Sequence, residues 1–145
     1  MKSSAVSDRS SNATHTPSPD FISGLVGWTV IPGKGHAVIA LRDIPAGTVV
    51  EKTPLVILKT AALMDTPLID YAFWWGEKTS DAMSELCAIT KGGYLALANH
   101  SPTPNSSIDQ DRANNLMVWR ADRDIKSGEE ITFDYDCDLW FDPQG

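Results

Sequence analysis

From Phe21 onward the apolar residues of the chain arrive in short runs, each closed by Gly, Pro or Asp. His36-Ala37-Val38-Ile39-Ala40-Leu41, Thr48-Val49-Val50-Glu51, Leu55-Val56-Ile57-Leu58 and Asn115-Leu116-Met117-Val118-Trp119 predict strands, being short and rich in β-branched side chains. Glu130-Ile131-Thr132-Phe133-Asp134-Tyr135-Asp136 alternates strictly. A strand there puts Ile131, Phe133 and Tyr135 on one face and the acids on the other. Thr60 to Met64 predicts a short helical turn and Asp81 to Ile89 another, but no segment sustains a helical period. The pattern therefore predicts a mainly β fold with irregular connections. Residues 1–20 are rich in Ser, Thr and Pro and hold no aromatic residue. Such a segment cannot bury enough apolar surface to offset its ordering entropy, so it is expected to be a disordered tail before a single domain over residues 21–145.

One stretch repeats. Ala40-Leu41-Arg42-Asp43-Ile44-Pro45-Ala46-Gly47-Thr48-Val49-Val50 resembles Ala121-Asp122-Arg123-Asp124-Ile125-Lys126-Ser127-Gly128-Glu129-Glu130-Ile131, with Ala, Arg-Asp-Ile, Gly and a β-branched residue recurring in register. Each copy reads as a strand, a tight turn closed by Gly, and a second strand. Chance similarity of two turns competes with this reading. The number of matched positions favours a pseudo-symmetric, convoluted β fold over a simple sandwich.

Composition narrows the class. A chain of 145 residues suffices for one domain, and such a domain buries roughly 68–70% of its unfolded surface without needing a staple. Twelve Lys and Arg against 19 Asp and Glu give a formal net charge of −7, which argues against direct binding of a nucleic-acid backbone. Cys87 and Cys137 lie in no CxxC pair and are expected to be ordinary reduced thiols. No run approaches the ~18 apolar residues of a membrane span, and residues 1–20 lack the apolar core of a signal peptide. An intracellular, cytoplasmic protein is expected, with a nuclear location compatible with a eukaryotic host. The triplets Asn12-Ala13-Thr14 and Asn105-Ser106-Ser107 match the glycosylation pattern and read as coincidences in that setting.

Three segments can carry chemistry. Pro32-Gly33-Lys34-Gly35-His36 puts a glycine pair ahead of a strand, where backbone can approach a ligand or simply turn. Gly93-Tyr94-Leu95-Ala96-Leu97-Ala98-Asn99-His100-Ser101-Pro102-Thr103-Pro104-Asn105 sets Asn, His and Ser consecutively after an apolar run, as a site or as turn caps. Gly128-Glu129-Glu130-Ile131-Thr132-Phe133-Asp134-Tyr135, taken alone, is a hairpin strand with aromatics in the core.

In this order and spacing the three resemble a SET domain, the fold of one large class of protein-lysine methyltransferases. Asn99-His100-Ser101-x-x-Pro104-Asn105 is similar to the family's Asn-His-Ser-Cys-x-Pro-Asn, and Gly128 to Tyr135 to its Gly-Glu-Glu-Leu-Thr-Tyr-Asp-Tyr. The match runs from about Gly33 to Tyr135 and looks like the small stand-alone members. It implies a SET-domain β-clip fold of several small curved sheets with a few short helical turns. It also implies transfer of a methyl group from S-adenosylmethionine to a lysine of a protein substrate, with no metal. Cofactor and lysine would enter from opposite faces and meet in a narrow channel, so that catalysis is chiefly positioning and electrostatics.

The resemblance carries over residue by residue. The backbone around Lys34, Gly35 and His36 would cradle the methionine part of the cofactor, and Asn99 and His100 would hold its amino group and adenine. Tyr135 would be the catalytic hydroxyl, also touching the cofactor. Phe133 and Tyr94 would line the lysine channel, Phe133 at a position where Phe in place of Tyr permits higher methylation states. Trp140 would stack on the adenine or anchor the core. The chain departs from the family at Pro102, where Cys is usual, at Leu97, near a missing Arg, and at Glu51-Lys52-Thr53-Pro54, where a tyrosine is often found. A single SET domain over residues 21–145 without the cysteine-rich zinc segment that follows many SET domains is expected.

Two other readings stand beside this one: a SET fold that binds cofactor or peptide without catalysis, and a SAF-like relative of sugar-acid enzymes, which Arg42 to Val49 also resembles. The latter leaves Asn99-His100-Ser101 and the Glu129 to Tyr135 strand unexplained. The oligomeric state stays open, a homodimer included. After Lys126 the chain has no Lys or Arg, while Glu129, Glu130, Asp134, Asp136, Asp138 and Asp142 are all acidic. That cluster is expected to attract a basic protein segment to the channel.

Overall fold

The structure is a computed structural model and describes residues 24–76 and 85–134. Within them nine strands form two sheets. Strands β1 (Val26–Ile31), β2 (Gly35–Ala40), β9 (Glu130–Phe133) and β6 (Asn99–His100) make a four-stranded sheet in that order. Strands β4 (Phe73–Trp75), β5 (Leu86–Thr90), β3 (Val49–Lys59), β8 (Leu116–Ala121) and β7 (Ser106–Asp111) make a five-stranded sheet. The described helical segments are short 3₁₀ turns at Thr60–Ala62, Pro67–Tyr71 and Leu95–Leu97. The expected tail over residues 1–20 and Cys137 lie outside the described residues.

The two adjacent runs read as separate strands, Thr48 to Glu51 and Leu55 to Leu58, are halves of one strand with different partners. The first half of β3 pairs antiparallel with β8, from Val49↔Arg120 to Pro54↔Leu116. Its second half pairs with β5, from Leu55↔Thr90 to Lys59↔Leu86. Pro54 sits at the changeover, where a residue without an N–H is tolerated. The ladder slips between Val49 and Glu51, so Val50 is the extra residue of a bulge. Val50 and Glu51 are consequently both buried, although alternation alone would put them on opposite faces.

Two expectations need correction. A helical turn over Asp81 to Ile89 is not found in its described part, because Leu86–Thr90 is strand β5, held between β3 and β4. Pairing on both edges overrides the weak local preference of so short a segment. The alternation of β9 also misleads: Ile131, Thr132 and Phe133 are all buried, since residues after β6 cover the face on which Thr132 lies.

The repeat has a structural meaning. Its two copies face each other about an approximate two-fold axis. Ile44 and Ile125 exchange both backbone hydrogen bonds at 2.8 Å each. Gly47 N–H donates to the Ala121 carbonyl and Gly128 N–H to the Ala40 carbonyl, each at 2.8 Å. The Ala46 N–H meets Asp124 Oδ1 and the Ser127 N–H meets Asp43 Oδ1, each at 2.9 Å. Each of these six bonds in one copy has its counterpart in the other, so the similarity is not chance. This clasp ties the end of β2 and the start of β3 to the end of β8 and the start of β9. Ile44 and Ile125 join Val38, Val50, Trp119 and Ile131 in the core between the sheets.

Candidate functional site

The two most distinctive sequence segments meet in space. β6, with Asn99 and His100, runs parallel to β9, pairing Asn99↔Thr132 and His100↔Phe133. β2 flanks the other edge of β9, pairing Val38↔Ile131 and Ile39↔Glu130. The sequence between β6 and β7 completes the stitching. Asn105, only 3% exposed, donates from Nδ2 to the Glu130 carbonyl at 2.8 Å and accepts the Thr132 N–H on Oδ1 at 2.9 Å. Its carboxamide thus behaves as one more stretch of strand, which suits no glycan. Ser106 Oγ donates to the Thr132 carbonyl at 2.5 Å and accepts from Trp119 Nε1 at 2.8 Å. The face of β9 expected to be polar is filled by these bonds.

Lys34, Gly35, His36 and Asn99 come together at the open end of this sheet. A turn closed by the Lys34 N–H on the Ile31 carbonyl, at 2.9 Å, joins β1 to β2. Gly35 follows in the left-handed region, at φ 91°. Lys34 Nζ lies 2.6 Å from Glu130 Oε1. Asn99 Nδ2 donates to the His36 carbonyl at 2.9 Å and to Glu130 Oε2 at 2.8 Å. His100 keeps its Nδ1 3.6 Å from Asp134 Oδ1. Trp28, 55% exposed, sets its ring edge-on to His36 with centroids 5.5 Å apart.

The apolar side of the site is built by Phe133 and Tyr94. Phe133, 2% exposed, stacks on Phe73 at a centroid separation of 6.1 Å. Tyr94 is half-buried against the same core, on the segment leading to β6. That segment is pinned by Glu51, a carboxylate 1% exposed. Glu51 accepts the N–H of Tyr94 at 2.7 Å and of Leu95 at 3.3 Å, together with the Thr53 hydroxyl. Gly93 passes so close that a Cβ there would stand 2.6 Å from Glu51 Oε2, on a backbone at φ +85°. Tyr135 and Trp140 lie outside the described residues.

Two residues escaped the sequence reading. The sequence marks Glu51 only as part of a departure from the family pattern, and the bulge that turns it inward leaves no trace in the hydrophobic pattern. By sequence Glu130 belongs to the acidic cluster expected to attract a basic segment. Instead it is held by Lys34 and Asn99, while Glu129 pairs with Arg123 at 2.9 Å. Arg123 and the Lys126 N–H hold the Glu129 carboxyl below the usual glutamate range. Asp134, with a side chain 58% exposed, is the described acid of that cluster that best fits a solvated face. Among the described residues no group of His, Cys, Asp and Glu is arranged to hold a metal ion. No described helix is long and apolar enough to cross a membrane.

The SET domain family model matches residues 35–136. The histone-lysine N-methyltransferase of Schizosaccharomyces pombe described as H3 lysine-37 specific is 30% identical over 116 residues, covering 77% of this chain and 73% of that protein. A Plasmodium falciparum protein crystallised as a candidate histone methyltransferase superimposes with a TM-score of 0.62 at 24% identity, over 83% of this chain and 100% of its own. KRYPTONITE, crystallised with mCHH DNA, an H3(1-15) peptide and SAH, superimposes with a TM-score of 0.59 at 26% identity, over 79% of this chain and 24% of its own.

Proposed function

The chain belongs to the SET domain family and is a protein-lysine N-methyltransferase, and we propose that S-adenosylmethionine is its methyl donor and a basic, histone-like segment its substrate. The observation that carries this reading is the convergence of Lys34, His36, Asn99 and Glu130 where β2, β9 and β6 meet. The His36 carbonyl and Glu130 hold both donors of the Asn99 carboxamide there, and the carboxamide oxygen so presented suits an amine-bearing ligand. When bound, S-adenosylmethionine would supply a methyl group on a sulfonium centre. The relative from Schizosaccharomyces pombe is described as acting on histone H3, which supports a basic protein substrate.

On this reading the turn from Lys34 to His36 and the β6 residues Asn99 and His100 hold the cofactor. Phe133 and Tyr94 form the apolar wall of the lysine channel. A lysine amine must be neutral to act as a nucleophile, and an apolar wall disfavours its charged form. Tyr135, next in sequence after Asp134, would supply the hydroxyl beside the transfer point, and Trp140 would stack on the adenine or anchor the core.

Incubation with labelled S-adenosylmethionine and core histones, followed by mass-spectrometric location of the label, tests this function. Label on a lysine side chain is expected. Tyr135→Phe should then lower transfer at least 100-fold, roughly the worth of one positioned catalytic group, while cofactor binding survives. Cofactor binding with no label in any protein would instead mark a binding module.

A further inference from the structure

The carboxamide of Asn99 lies between two groups that can only accept hydrogen bonds. Its Nδ2 donates one hydrogen to the His36 carbonyl and the other to Glu130 Oε2. A carboxamide carries two N–H donors and one carbonyl acceptor. Turned over, it would set Oδ1 against a carbonyl and a carboxylate, so its orientation is dictated by chemistry and not by the similar outlines of N and O. With both donors consumed, Asn99 offers only Oδ1, which accepts no hydrogen bond among the described residues. Glu130 is itself held: Lys34 Nζ takes its other oxygen at 2.6 Å, and its backbone is fixed by β2 and by Asn105.

We propose that Glu130 is a positioning and specificity-determining residue. By fixing the Asn99 carboxamide with Oδ1 free, it makes the site select a ligand that presents a primary ammonium there, and Lys34 holds Glu130 in place. The inference rests on the cofactor reading given above. It assigns the preference for the α-amino group to a residue that need not touch the ligand. If Glu130 served only to hold the sheet together, its loss would weaken every ligand equally.

The test is calorimetric binding to the full chain of two probes, S-adenosylhomocysteine and its analogue with the α-amino group replaced by hydrogen. The wild type is expected to prefer the amine by roughly 10–100-fold, the worth of one charge-assisted hydrogen bond. Glutamine at position 130 can present its own amide hydrogens to Asn99 and let that side chain turn over. In Glu130→Gln the preference should therefore fall about tenfold, with the affinity of the analogue unchanged. In an Asn99→Ala background the same change should shift the preference no further. Lys34→Ala, which frees Glu130 from its tether, should give a smaller loss in the same direction and serves if Glu130→Gln does not fold. A preference that survives these changes, or equal weakening of both probes, overturns the proposal. A wild type that binds both probes equally removes the proposal but not the cofactor reading, whereas one that binds neither removes both.

Discussion

Ile44 and Ile125 donate to and accept from each other's backbone at 2.8 Å, on the axis that relates the two Arg-Asp-Ile turns. Both side chains are essentially fully buried, and both stand at the start of a segment that enters a sheet. Equivalent positions should respond equally. Ile44→Ala and Ile125→Ala are each expected to cost about 2–5 kcal/mol, the usual range for such truncations. Urea denaturation checks this, and values differing by more than the spread between repeats of one variant would show that the two halves are not energetically alike.

The buried carboxylate of Glu51 should be hard to replace. Glu51→Gln keeps the shape but turns an amide hydrogen toward groups that are themselves donors, leaving at least one backbone N–H of Tyr94 or Leu95 unmatched. A loss of about 1–3 kcal/mol follows, the cost of one unsatisfied buried polar group. Gly93→Ala should be worse, since it adds both a close contact with the same carboxylate and strain at positive φ. Thermal melts of the two variants, read against wild type, check the order.

Acid should erase the contribution of Glu129. Hydrogen bonding from Arg123, then from the Lys126 N–H, lowers its folded-state pKa. A lowered value means stabilisation that is present above the unfolded pKa and is lost as the pH falls through the folded one. Glu129→Gln should therefore melt slightly below wild type at pH 7, by a few degrees at most for so exposed a pair. The gap should close as the pH drops below about 4.5. A gap that stays constant down to pH 3 would assign the loss to something other than charge.

Phe133→Tyr tests the channel. A hydroxyl introduced at this position, beside Phe73, would hydrogen-bond the substrate amine and occupy the room that added methyl groups need. The product distribution, read by mass spectrometry, should shift toward fewer methyls per lysine. An unchanged distribution would take Phe133 out of the channel wall.

Sequence and structure agree most where a local pattern sufficed. The Arg-Asp-Ile repeat is visible in the sequence because each turn needs its own Asp and Gly, and the pairing of its copies follows from that likeness. Asn99-His100 and the Glu130 to Phe133 run were legible as a site through resemblance, and the structure sets them side by side. Strands such as β1, β4 and β7 were not legible. Their residues alternate poorly, and they exist because a neighbouring strand offers a ladder. The roles of Glu51 and Glu130 are not legible in the sequence for one common reason: the state of a carboxylate depends on donors distant in sequence. The Lys34 partner of Glu130 lies 96 residues away, and the Tyr94 partner of Glu51 lies 43 away.

Because β9 is inserted between β2 and β6, the order of synthesis matters. On the ribosome β1, β2 and β6 emerge well before Glu130 does. Until then β2 has an unpaired edge, Asn99 has no carboxylate to set its amide, and the Ile44 turn has no twin. A half-made chain thus carries a bare strand edge of the kind that invites pairing with other chains. Ligand recognition begins only when the late-arriving strand slides into its slot, a long-range closure that makes folding slow. The same insertion protects the finished enzyme, since no cut or fraying at a single edge releases β9 without breaking ladders on both of its sides.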